Sequence, residues 1–167
     1  TYTGAVMINN GAVNIQNSAG LGTTAGGTTV RSGAALEIQG ASTAVGAEAL
    51  TLNGTGVASG GALRFVANNC SYGGAITLGS DASIVCVANS PAISGNIICG
   101  SDYTATITVN GTAIDFTGAL SGTKVAGNGS VVKNGAGYLI LRTGNNSGLT
   151  GDFRIDAGEV RIGGASS

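Results

Sequence analysis

Short runs in which apolar and polar residues alternate, each cut off by Gly, Asn, Ser or Asp, recur along this chain and leave it little but β-structure to adopt. "ALEIQG" puts Leu36 and Ile38 on one face and Glu37 and Gln39 on the other; "ALTLNG" does the same with Leu50 and Leu52. "ALRFV" (Leu63, Phe65), "AITLG" (Ile76, Leu78), "SIVCV" (Ile84, Cys86), "ATITVNG", "AIDF", "YLILR" (Leu139, Leu141), "DFRID" and "EVRIGG" repeat the pattern. No segment keeps helical spacing over more than about two turns. Of 167 residues 43% are apolar but only 4% aromatic, and 31 are glycine, so any core is built from small side chains between many turns.

Many short strands fit a sandwich, an up-and-down barrel or a β-solenoid. The first two favour larger core residues and need no internal repeat. In a solenoid, each coil lies on the one before and residues one coil apart stack in columns. "GALRFV" from Gly61 and "ASIVCV" from Ala82 match at an offset of 21 residues, which also sets Leu78 against Cys99. The fold expected is all-β, a β-solenoid of roughly 7–8 coils of about 20 residues. Its core takes Leu63, Phe65, Ile76, Leu78, Ile84, Leu139, Leu141, Phe153, Ile155, Val160 and Ile162, with Arg64, Arg154 and Arg161 outside. A strand slipped by one residue would bury those arginines.

Residues 1–167 read as a single solenoid segment whose two ends resemble each other. "TGAVMINNGAVNIQNSAG" (3–20) and "TGDFRIDAGEVRIGGASS" (150–167) align without a gap at an offset of 147 residues. Val6 falls on Phe153, Ile8 on Ile155, Gly11 on Gly158, Val13 on Val160 and Ile15 on Ile162. The expectation is one period plus an overlap, excised from a longer repeat protein. Neither end carries a cap against edge pairing, so further copies should continue the coil, as covalent tandem repeats or by head-to-tail stacking.

The stretch Gly127 to Gly164 resembles the autotransporter-associated β-strand repeat. The resemblance rests on Gly127, Gly129, Ser130, Val131, Lys133, Gly135, Gly137, Leu139, Leu141, Asn145, Asn146, Thr150, Gly151, Ala157 and Gly158. The opening residues look like the tail of the same motif, and the middle is similar to segments between such repeats in large bacterial surface proteins. The three cysteines depart from the pattern. The resemblance implies a right-handed parallel β-helix, secreted or displayed at the cell surface, found in adhesin-like passengers and filamentous proteins and without a catalytic signature of its own.

The chemistry legible in the residues agrees with a structural part. Glycoside hydrolysis needs two carboxylates about 5–9.5 Å apart. The nearest same-face pair within a strand, Asp152 and Asp156, is separated by about 13 Å. Asp81 and Asp102 lie in similar Gly-Ser-Asp turns and read as turn formers. No histidine is present, which removes Ser-His, Cys-His and histidine-metal sites. The calcium nonapeptide and the phosphate loop are absent. No catalytic residue, cofactor or metal is therefore assigned, and the expected protein is not an enzyme. The formal charge of −1, with seven scattered basic residues, argues against nucleic acid, and no apolar run is long enough to insert in a membrane.

Cys70, Cys86 and Cys99 are odd in number. They read as buried free thiols, with a disulfide between two of them as the alternative. Tyr2, Tyr72, Tyr103 and Tyr138 share no period and read as scattered surface aromatics. The Asn-x-Ser/Thr sites at Asn53, Asn69, Asn110, Asn128 and Asn145 read as turns. The functional expectation is a structural extracellular stalk or filament segment. The alternative is an adhesin-type module recognising glycan or a host or cell surface.

Overall fold

The computed structural model describes residues 2–100, 102–121, 129–142 and 146–163. Its strands follow one another as the coils wind. β1 (Val6–Ile8) and β2 (Gly11–Ile15) open the chain, followed by β3 (Thr28–Val30), β4 (Ala34–Ile38) and β5 (Ala44–Val45). Next come β6 (Leu50–Gly54), β7 (Leu63–Phe65) and β8 (Ser71–Tyr72), then the long β9 (Ile76–Cys86) and β10 (Ala92–Ile93). β11 (Ile97–Ile98), β12 (Ala105–Val109) and β13 (Ala113–Phe116) form another coil; β14 (Leu120–Ser121), β15 (Val131–Asn134) and β16 (Tyr138–Leu141) the one after. β17 (Phe153–Ile155) and β18 (Glu159–Ile162) close the series. Helix among the described residues is confined to the short 3-10 segments Val57–Ser59 and Asn146–Gly148.

Every strand pair is parallel and joins one coil to the next, which makes the molecule a parallel β-solenoid of about 6 turns. Three ladders run along it. One holds β1, β3, β6, the start of β9, β11 and β14. A second holds β2, β4, β7, the end of β9, β12, β15 and β17. The third holds β5, β8, β10, β13, β16 and β18. Because β9 runs through a corner, it carries the first two ladders in one strand.

The 21-residue match of Leu63 with Ile84 is the register found. Elsewhere a coil takes more residues: 27 separate Leu36 from its partner Leu63. The turns are thus fewer and longer than the expected coils of about 20. The added residues go into corners, such as the loop between β6 and β7 with its 3-10 turn, and leave the columns in step.

Inside, the columns are continuous. Val13, Leu36, Leu63, Ile84, Ile107, Lys133 and Ile155 occupy one register line. Val45, Tyr72, Ile93, Phe116, Leu141 and Ile162 occupy another. Leu63, Phe65, Ile76, Leu78, Ile84, Leu139 and Leu141 are buried, and Arg64, Arg154 and Arg161 face outward. At the C-terminal end the expected core needs correction. Phe153 and Val160 are half-buried, while Ile155 and Ile162 are 52% and 82% exposed. They hold core register positions, but no described coil lies over them.

Each coil must bring its backbone onto the one below, and the corners show how. A Cβ built on Gly74 would overlap the carbonyl oxygen of Glu48, one on Gly95 that of Gly74, and one on Gly118 that of Gly95. None of the three has a positive φ, so close approach alone demands glycine there. Side-chain oxygens cap other corners. Asn68 Oδ1 accepts from Asn89 N (2.8 Å), and Asn89 Oδ1 accepts from Thr112 N (3.1 Å) and its hydroxyl (2.8 Å). Asp81, read from the sequence as a turn former, lies within β9, where its Oδ1 accepts from Thr104 N (2.7 Å). Of the sequon asparagines, Asn69 turns the chain at φ 57°, Asn53 lies instead within β6 and donates to Val30 O (2.8 Å), and Asn128 and Asn145 lie outside the described residues.

The two similar end segments are alike locally but not equivalent in the coil. Each is a strand, a turn with a left-handed glycine (Gly11 φ 71°, Gly158 φ 74°) and a second strand. Yet β1 and β2 lie on the first and second ladders, whereas β17 and β18 lie on the second and third. Val13, not Ile8, shares a column with Ile155. The 147-residue alignment therefore matches one corner with the next corner round. Residues 164–167 of the later segment lie outside the described residues. β1 and β17 stand at opposite ends of the strand order, which puts the chain's two ends at opposite poles of the sheet.

Two substitutions separate column filling from end exposure. Leu139→Ala, in a buried column, should cost about 2–5 kcal/mol in chemical denaturation. Ile162→Ala, at the open end, should stay within about 0.5 kcal/mol of the parent. Gly95→Ala should lose about 1–3 kcal/mol through overlap with the coil beneath. Equal losses at Leu139 and Ile162 would contradict the column assignment.

Candidate functional surfaces

The charged residues that alternation puts outside pair with one another. Glu37 and Arg64 stand in register on β4 and β7, 3.1 Å apart. Arg142 meets Asp115 at 3.1 Å, Arg154 meets Asp156 at 2.7 Å, and Arg161 meets Glu159 at 2.8 Å while lying 3.7 Å over the Tyr138 ring. Pairs this exposed contribute little stability and are screened by salt. Among the described residues, no group of three or more Cys, Asp or Glu side chains is placed to hold a metal ion. No described helix is long and apolar enough to cross a membrane.

Cys70, Cys86 and Cys99 are free thiols, all buried. The Cys86 thiol donates to Ala88 O (3.1 Å) and that of Cys70 to Ala67 O (2.9 Å). Burial pushes the Cys86 thiol up to about 12 and that of Cys99 up to about 11, and raises Cys70 as well. At neutral pH such groups are protonated and act as small apolar side chains.

Tyr72 corrects the reading of the tyrosines as surface groups. It is fully buried in the third ladder, and its hydroxyl donates to Glu48 O at 2.8 Å. Burial, and then the Glu48 carboxylate, push the phenol well above its ordinary value. Glu48 is itself only 3% exposed and accepts from the Thr28 hydroxyl at 3.1 Å. Lys133 is the other buried charged residue among the described residues. Sequence reasoning passed over both. For Lys133 a signal existed: in "SVVKNG" it shares parity with Val131, on the inward side. Glu48 lies in a corner, where alternation gives no parity.

The two ends are the surfaces that the fold leaves open among the described residues. At the C-terminal end, Leu120, Leu141, Leu149, Phe153 and Ile162, with Asn146 and Gly151, line an apolar cavity of about 230 Å3. β17 and β18 each pair on one side only. At the other end β1 and β2 likewise have one partner each, and Val6 and Val13 are half-buried. Tyr2 crosses this end, with its hydroxyl donating to Gly20 O (2.9 Å) and its carbonyl accepting from Thr23 N (3.0 Å). Chemically, both ends offer backbone hydrogen-bonding groups around an apolar centre, the surface onto which another coil can be laid.

The buried thiols and phenol predict how stability changes with pH. Their folded values lie above the unfolded ones, 9.0 for cysteine and 10.0 for tyrosine. Their contribution is therefore complete below about pH 9 and is lost as the pH rises toward 12. Lys133, whose ammonium burial holds below the usual lysine value, acts in the opposite sense. The urea midpoint should fall steadily above pH 9, and less steeply in a Cys86→Ala/Cys99→Ala variant. A midpoint unchanged between pH 8 and 11 would contradict neutral buried thiols.

Comparison with protein-family models, with curated proteins and with solved structures found no match.

Proposed function

We propose that the chain is a structural segment of a longer solenoid. Its coils supply length and stiffness in a secreted or surface-displayed bacterial protein of the autotransporter-repeat kind. The observation that carries this reading is the continuity of the columns. The coils from β3 to β16 repeat the same three parallel ladders, and the inward line from Val13 to Ile155 runs from one end of the fold to the other. A body built this way extends without any change of cross-section, because each added coil meets the same edge as the one before it.

In this reading the next coils are further copies of the chain, covalently joined or stacked head to tail. The register follows from the ladders: Gly11–Ile15 of the following copy takes the place beside β17, so that Val13 follows Ile155 in the column. The flanking apolar residues of β17 and β18 then become core. The similarity to autotransporter-associated repeats supports the placement outside the cell.

Two copies joined in tandem provide the test. Small-angle scattering should show a rod about twice the length of the single unit with an unchanged cross-sectional radius. Two jointed bodies, or a thicker compact particle, would refute continuous stacking. Replacing Arg64 and Arg142 with alanine should leave rod length unaltered. Loss of attachment to glycan or cell surfaces in that variant would instead favour an adhesin.

A further inference from the structure

The structure assigns Lys133 the role of a clasp that holds the terminal strand pair, β17 and β18, on the body of the solenoid. Lys133 stands in β15 at a position where the coils on either side carry Ile107 and Ile155. It is fully buried. An ammonium has three donors and no acceptor. Here all three are used: Nζ donates to Asn134 O at 2.7 Å, Gly135 O at 2.8 Å and Ala157 O at 3.1 Å.

The first two acceptors are the last residue of β15, Asn134, and the first residue of the corner after it, Gly135. The third belongs to the corner between β17 and β18, one coil further on. The side chain thus joins two successive corners from inside. The backbone of Lys133 adds to the junction, because its carbonyl accepts from Asp156 N (2.8 Å) and Ala157 N (3.4 Å). Gly158 fits the same geometry: a Cβ there would approach Lys133 Nζ to 2.9 Å and overlap Gly135 O. The corner closes around the ammonium.

Apart from the backbone ladders to β15 and β16 and the contact of Arg161 with the Tyr138 ring, the side chains of the last strand pair hold it only shallowly. Ile155 and Ile162 are exposed, and Phe153 and Val160 are only half-buried. The ion pairs of Arg154 and Arg161 stay within their own strands or turns and are open to solvent. Bonds from a charged donor are among the stronger ones, and these three converge on one fully buried side chain. A deep junction made by one cation therefore outweighs a shallow apolar contact, and the terminal pair docks or releases as a unit.

Hydrogen exchange of Lys133→Met, which keeps the length and apolar body of the side chain, tests this. Amides of β17 and β18 should exchange about tenfold faster or more, while those of β4 and β7 keep the parent's protection. Unchanged protection at β17 and β18, or an equal loss throughout the solenoid, would overturn the assignment. Should the variant not fold, the parent protein labelled with 15N-lysine answers the same question. The Lys133 ammonium protons should exchange slowly and show proximity to Ala157. An ammonium in fast exchange with water would overturn it.

Discussion

Parallel backbone pairing between successive coils is the constraint on which the rest of this structure depends. Once each coil hydrogen-bonds to the next in the same direction, residues one coil apart face the same way at the spacing of neighbouring strands, about 4.8 Å. An inward position must be filled in every coil, and an outward one must tolerate a neighbour of its own kind or of opposite charge. The line Val13–Leu36–Leu63–Ile84–Ile107 meets the first demand. Glu37 beside Arg64 meets the second. The narrow interior served by three faces is filled mainly by aliphatic side chains, with Phe65, Tyr72 and Phe116 its largest members.

The corners carry the cost of this regularity. Where the chain leaves one face for the next, its amides and carbonyls leave the ladder and must still be satisfied. Asn68, Asp81 and Asn89 do this by accepting from an amide one coil further along. At Gly74, Gly95 and Gly118 the backbone comes so near the previous coil that no side chain fits. Coil length can vary because corners, unlike columns, accept extra residues without breaking register.

Against this apolar interior the buried polar groups divide by function. Tyr72 and Glu48 stitch a corner to a neighbouring coil, with Thr28 as a further partner. Lys133 stitches the terminal corner. The three thiols are different: held neutral by burial, they fill space in the way a small aliphatic residue would.

The sequence by itself determined that the chain is β throughout, where most strands lie, which of their faces is apolar and, at Leu63 and Ile84, the stacking register. These are local matters, fixed by the two-residue period of the strand and by the need to keep arginines in water. Only the tertiary structure decided coil length, because residues looped out at a corner leave no mark on alternation. It alone showed that 3–20 and 150–167 occupy different corners, since a strand, a left-handed glycine and a second strand suit any corner of such a coil. It alone gave Lys133 its bond to Ala157, Glu48 its place in the core, and Ile155 and Ile162 their exposure. Those depend on what lies one coil away, more than twenty residues distant in the sequence, and that neighbour is set by stacking rather than by local pattern.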